Sequence, residues 1–202
     1  MKFFKKNSYD IVKLYITQIG IAIFSFMMYS AVGMINPDSS VSLAFSVPIS
    51  IFSTFFFYAL LYCSAWEWGG KDRIRIDGGK AKRDVLKAFK MSLFANTVNF
   101  LLTLIGFAAF LFCLNGMMSG FDAIGSICAL LYRFTLMMYQ GLVQGIFSGL
   151  KDGGLNLLFF TFESAAFFVF SFLSALVTHF GYWMGLREKR LFGFIKNNKK
   201  YE

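Results

Sequence analysis

The sequence predicts an all-α fold: a polytopic membrane helical bundle with four full transmembrane helices and one interfacial or re-entrant amphipathic helix. Three observations predict it. Hydrophobic residues make up 57 % of the chain and charged ones only 15 %, and the mean hydropathy is +0.59, a balance unsuited to a water-facing surface. The apolar residues, with Phe occurring 28 times, arrive in unbroken blocks rather than at the three-to-four spacing of a soluble amphipathic helix. The cations gather in three separated segments, as they do in loops on one side of a membrane.

A bilayer core of roughly 30 Å takes about 20 apolar residues in a helix. Leu14 to Met34, Val41 to Ala65 and Met91 to Met118 are free of charge, and Ser164 to Leu186 carries only His179. These windows predict spans at 14–34, 41–65, 91–114 and 164–186. The first is too long for the apolar stretch of a leader, and Gly33-Met34-Ile35-Asn36-Pro37 offers no small-x-small cleavage site, so it is expected to stay as a span. Pro48 lies inside the second window and predicts a kink there, because it removes a backbone donor and crowds the preceding turn.

The first basic segment holds Lys2, Lys5, Lys6 and Lys13. The second holds Lys71, Arg73, Arg75, Lys80, Lys82, Arg83, Lys87 and Lys90, and the third Arg187, Lys189, Arg190, Lys196, Lys199 and Lys200. Only Arg133 and Lys151 lie elsewhere, and the connections 35–40 and 115–122 carry Asp38 and Asp122 but no cation. The positive-inside rule then puts the N-terminus, residues 66–90 and the C-terminus in the cytoplasm of a multi-pass cell-membrane protein. Trp66, Trp68 and Trp183 fall near that same interface.

Crossings between basic segments must come in pairs, which leaves residues 123–150 as an element that does not complete one. Ser126, Arg133 and Gln140 recur every seven residues, with Gln144 near the same stripe, so a helix here has one polar edge. It is expected to lie in the outer interface or to enter and return. The alternative is five spans with Arg133 buried, at about 2.5 to 3.5 kcal/mol on insertion scales. That arrangement would place the cationic tail on the opposite side.

Residues 1–202 form a single integral membrane domain. The loop 66–90 is too small to fold alone; Asp77-Gly78-Gly79 reads as a turn, and Lys80 to Lys90 as the basic amphipathic start of the third span. Anionic inner-leaflet lipids of the bilayer are its expected partners. Cys63, Cys113 and Cys128 show no metal-ligand spacing and read as buried small hydrophobes, with a Cys113–Cys128 disulfide as the alternative. No metal and no cofactor are expected.

Polar residues at membrane depth are candidate functional residues because placing them there is costly. Asn96 and Asn99 share a helical face and would line a polar cavity or bond helices together. His179 sits about 10 Å inside the end of the last window at 1.5 Å per residue, as an interface histidine or a proton relay. Arg133 is expected to pair with Glu163 if the peripheral helix folds against the last span. Gly141, Gly145 and Gly149, and Gly181 with Gly185, are small-xxx-small patterns that pack helices within the chain or against a homo-oligomer or membrane-complex partner.

Catalytic signatures are missing. Gly78-Gly79-Lys80-Ala81 lacks the upstream Gly and the following Ser or Thr of a phosphate-binding loop, and neither HExxH nor GxSxG occurs. Neither an enzyme nor a nucleic-acid partner is expected.

Three stretches carry a resemblance: Lys13-Leu14-Tyr15-Ile16-Thr17-Gln18-Ile19-Gly20, Ala65-Trp66-Glu67-Trp68-Gly69-Gly70-Lys71-Asp72 and Ser92-Leu93-Phe94-Ala95-Asn96. Together they resemble uncharacterised small multi-spanning membrane proteins of low-GC Gram-positive bacteria, over the first half of the chain. The resemblance implies a bacterial membrane location and no chemistry. The expected function is a non-catalytic subunit or scaffold of a membrane complex, with a small-solute transporter or channel component lined by Asn96, Asn99, Arg133, Glu163 and His179 as the alternative.

Overall fold

The computed structural model describes residues 2–35, 39–80, 82–116, 120–152 and 156–189. They form seven helices: α1 (Lys2–Ile35), α2 (Ser39–Asp77), α3 (Lys87–Ala95), α4 (Thr97–Leu114), α5 (Phe121–Thr135), α6 (Gln140–Asp152) and α7 (Asn156–Leu186). A single 3-10 turn, Met137–Tyr139, joins α5 to α6. Asn7–Met34, Ala44–Asp77, Thr97–Leu114 and Asn156–Leu186 are each long and apolar enough to cross a membrane. Phe121–Thr135 and Met137–Phe147 form a fifth apolar element bent by 88°.

Burial is arranged for lipid. Ile16, Met27, Phe52, Phe55, Leu104, Leu130 and Val169 are exposed, whereas Ser50, Ser53, Asn99, Thr103, Glu163, Ser174 and Thr178 are buried. Apolar side chains gain nothing by leaving a hydrocarbon solvent, while unpaired polar groups in it cost several kcal/mol each (on the order of 2–7), so polar residues turn inward and pair.

α2 and α7 run parallel and form the tightest crossing. A Cβ on Gly185 would run into the carbonyl oxygen of Trp66, one on Gly69 into that of Tyr182, and one on Gly181 would come within 2.7 Å of the carbonyl oxygen of Tyr62. Small residues at three or four spacing on both helices, Ala65 and Gly69 facing Gly181 and Gly185, let the backbones meet. α4 lies antiparallel to α7, as Phe110 with Phe160 and Phe100 with Phe168 show along its length. The bundle therefore has a basic end, where α2 and α7 finish, and a far end, where α2 and α7 begin.

Several predicted boundaries change. The second span continues past Ala65 to Asp77, so the first half of the expected loop 66–90 is helix, because Trp68 and Gly69 are still packed inside the bundle. The helix stops at Gly79, whose φ of +70° lets Lys80 N–H reach Arg75 O (2.9 Å) and Gly79 N–H reach Ile76 O (2.9 Å) in a Schellman closure. The helix expected to lead from Lys80 into the third span at 91–114 starts at Lys87 and is interrupted at Asn96. The last helix begins at Asn156, eight residues before its predicted start at Ser164, which brings Glu163 inside it. α2 continues as helix through Pro48.

The largest correction concerns 123–150. It is not one helix but two, α5 and α6, broken at Leu136 (φ −117°, ψ 26°). α5 starts beside the end of α4, where Phe112 and Phe121 rings lie 5.8 Å apart. Its last residue, Thr135, has reached Asn99, and Tyr139 stacks on Phe170 near the middle of α7 at 4.9 Å. α6 then returns toward the far end, where Phe147 stacks on Phe162 at 5.9 Å. The pair enters and leaves the bundle at the same end.

Candidate functional site

A helix broken inside a bundle leaves backbone donors and acceptors that water cannot reach. α2 supplies their partners. Ser50 Oγ donates to Met138 O (2.8 Å) and Thr54 Oγ1 donates to the same oxygen (3.2 Å). Gly141 N–H donates to Ser50 Oγ (2.8 Å) and to Tyr29 OH (3.1 Å), and Tyr29 OH and Ser50 Oγ are 2.5 Å apart. Gly141 is required here, since a Cβ would strike the carbonyl oxygen of Ser46, and one on Gly145 would lie 2.7 Å from Val47 Cγ2. The side-chain surroundings at Gly149 lie outside the described residues.

Two polar clusters pin the end of α5. In the first, Arg133 Nε donates to Glu163 Oε1 at 2.8 Å and Nη2 donates to Oε2. This is the two-pronged geometry that makes guanidinium–carboxylate pairs strong. Gln140 Nε2 adds a long contact to Glu163 Oε1 at 3.4 Å, and the Arg133 guanidinium lies 5.1 Å from the Phe160 ring centre. The Glu163 side chain is 0 % exposed and that of Arg133 is 32 % exposed, so the acid is sealed while the base reaches the surface of the chain. Gln140 Oε1 is buried with no hydrogen-bond partner among the described residues.

In the second cluster, Asn96 Nδ2 donates to Ser92 O (3.0 Å) and to Ser174 Oγ (3.2 Å) on α7. Asn99 Nδ2 donates to Asn96 Oδ1 (3.4 Å), and Thr135 Oγ1 donates to Asn99 Oδ1 (3.0 Å). Asn96 and Asn99 are 4 % and 0 % exposed. Asn96 also occupies the break between α3 and α4, where its side chain stays bonded to the preceding turn. These residues knit four helices, α3, α4, α5 and α7, and α5 is thereby held to α7 through Arg133 and to α4 through Thr135.

His179 stands apart from both clusters. Its ring meets Phe89 edge-on at 5.9 Å, and its Nδ1 has no hydrogen-bond partner among the described residues. The side chains of Lys151 and Asp152 lie outside the described residues. Cys63 is exposed on α2, against expectation, because it sits on the face turned away from the neighbouring helices; Cys113 is partly exposed, Cys128 is buried and all three are free. No group of three or more His, Cys, Asp or Glu suited to a metal occurs among the described residues.

Sequence reasoning missed two features. One is the row Ser46, Ser50, Ser53 and Thr54 on α2, whose signal is hydroxyls at three-to-four spacing in an apolar helix, a face turned toward polar partners. The other is Asp72, whose Oδ2 accepts from Lys87 Nζ (2.6 Å) and from Tyr182 OH (2.9 Å) and so ties α2, α3 and α7 together at the basic end. The segment 66–90 holds four acids among its eight cations, and nothing in their spacing singled out Asp72.

Fold and clusters together define an α-helical membrane-type bundle of four apolar spans with a bent helix pair whose vertex is held at mid-depth by polar contacts. No family model, curated protein or solved structure matches the chain.

Proposed function

We propose that the chain is a membrane transport protein, or the membrane-embedded component of one, that passes a small polar or charged solute along the vertex of α5 and α6. Glu163 carries this reading. It is a fully enclosed carboxylate in a bundle with an apolar exterior, and its partner Arg133 comes from a helix that enters and returns. Ionisable groups at membrane depth are costly to maintain, face the bundle interior and mark solute or ion routes. Broken helices at that depth are tolerated where protein buries them or where they line a route for solute.

The sequence also suggested a non-catalytic subunit using its glycine faces. Gly141, Gly145, Gly181 and Gly185 are already occupied by α2 of the same chain, which leaves that reading without its main support. The distribution of cations favours a cell-membrane location with both termini cytoplasmic, and four spans favour a homo-oligomer or a larger membrane complex as the working form.

The test is reconstitution of the full chain into liposomes loaded in turn with protons, alkali cations, halides, amino acids and sugars. Release of at least one solute class above protein-free vesicles, lost in Glu163→Gln, is the expected result. Vesicles as tight as protein-free ones across the whole panel, or a Glu163→Gln flux equal to that of the unaltered protein, would remove the proposal.

A further inference from the structure

We infer that the basic end of the bundle carries a binding site for a phosphate anion, separate from the α5–α6 vertex and independent of the transport reading. A cleft of about 460 Å³ opens there between the end of α2, the segment that follows it and the end of α7. Arg73, Arg83, Arg187 and Lys189 line it, with Asp77 as its carboxylate and Ile76 and Leu186 as its apolar part.

The cleft is held in shape by specific contacts. Past α7 the chain closes in a Schellman turn, Lys189 N–H to Met184 O at 3.1 Å and Glu188 N–H to Gly185 O at 3.2 Å. Glu188 takes the left-handed position with φ of 55°, a place normally given to Gly. Its carboxylate meets Arg73 at 2.7 Å, and Trp66 Nε1 donates to Lys189 O at 2.9 Å. Both contacts fold residues 187–189 over the end of α2. Arg187 lies against the Trp183 ring, 4.0 Å from its centre, which restricts its guanidinium.

Charge in the cleft is unbalanced. Asp77 and Glu188 both engage Arg73, whereas Arg83, Arg187 and Lys189 make no ion pair with the described residues. Cations held together repel one another, and an anion relieves that repulsion. A phosphate matches the site better than a carboxylate because its several oxygens can meet guanidinium groups from more than one direction. Ile76 and Leu186 give the cleft its apolar part, and Trp66 and Trp183, which hold Lys189 and Arg187, belong to the level expected for headgroups. Basic pockets between helices at that level bind phospholipid headgroups; a soluble phosphate would offer the same chemistry.

The experiment uses the full chain, stripped of lipid in detergent and then placed in nanodiscs of phosphatidylcholine alone or mixed with phosphatidylglycerol. Lipid retained by the protein is counted by native mass spectrometry, and inorganic phosphate is titrated separately against tryptophan fluorescence. Selective, saturable retention of phosphatidylglycerol is expected, with about a tenfold weakening in Arg83→Gln/Arg187→Gln, the scale of losing a charge-assisted hydrogen bond. Lys13→Gln, a charge removed from α1, should leave retention unchanged. Saturable binding of inorganic phosphate without lipid selectivity would support the site and assign it a soluble ligand. Equal weakening in the Lys13 variant, or no saturable binding of either probe by unaltered protein that remains monodisperse, would overturn the proposal.

Discussion

Ser50 Oγ lies 2.8 Å from the carbonyl oxygen of Met138 and 2.8 Å from the amide nitrogen of Gly141. One hydroxyl on α2 thus satisfies backbone groups on both sides of the α5–α6 vertex. Thr54 shares the acceptor and Tyr29 shares the donor. Ser50→Ala alone is therefore expected to cost about 1 kcal/mol, and Ser50→Ala/Thr54→Val, which strands Met138 O, about 1–3 kcal/mol beyond the sum of the single changes. Thermal unfolding in detergent measures both, and strictly additive losses would show that the vertex does not depend on these bonds.

Removing either partner of the Arg133–Glu163 pair should cost about 3–5 kcal/mol, since a buried charge is left without its counter-ion. The two losses should differ. Arg133→Gln strands a sealed carboxylate, whereas Glu163→Gln strands a guanidinium that reaches the surface of the chain, so Arg133→Gln is the more damaging change. The exchange Arg133→Glu/Glu163→Arg should recover part of the loss. Equal melting temperatures for the single variants, with no recovery in the exchange, would assign the pair no structural weight.

Glycines at the α2–α7 crossing should respond oppositely to those outside it. Gly69→Ala and Gly185→Ala place a methyl group against backbone atoms of the facing helix and should destabilise by about 1–3 kcal/mol, the range for overpacking. Gly20→Ala and Gly70→Ala meet nothing within 4 Å and should stabilise by about 0.5–1 kcal/mol through helix propensity. Melting temperatures of the four variants decide the matter, and a uniform response would mean that the crossing is not tight.

A re-entrant pair places both of its ends on one side. In a variant with Cys63, Cys113 and Cys128 replaced by Ala, single cysteines at Asp122 and Asn156 should react with an impermeant thiol reagent from the same side. Cysteines at Lys80 and Glu188 should react from the other. Labelling of positions 122 and 156 from opposite sides would establish α5–α6 as a complete fifth crossing.

Much of the bundle was legible in the sequence because lipid imposes a simple demand: apolar runs of sufficient length, free of charge, become spans. The four windows, the setting apart of 123–150 from them and the pairing of Arg133 with Glu163 all followed from composition and charge. Boundaries did not, because Trp66 to Asp77 carries charges yet remains helical, with Trp68 buried and Gly69 packed against the backbone of α7.

The break at Leu136 had no local marker, neither Pro nor Gly, so 123–150 read as one amphipathic helix. Nor could spacing alone show that the glycine stripes face α2 of the same chain, or that Asn96 and Asn99 join one network while His179 stands apart. By itself the sequence determined the solvent, the number of long apolar helices and the polar residues that must turn inward. The tertiary structure alone decided where the backbone bends and which side chains meet. Periodicity reports what one helix exposes, whereas an unsatisfied carbonyl or a clash-free glycine exists only relative to a second helix, here Ser50 and Ser46 against Met138 and Gly141.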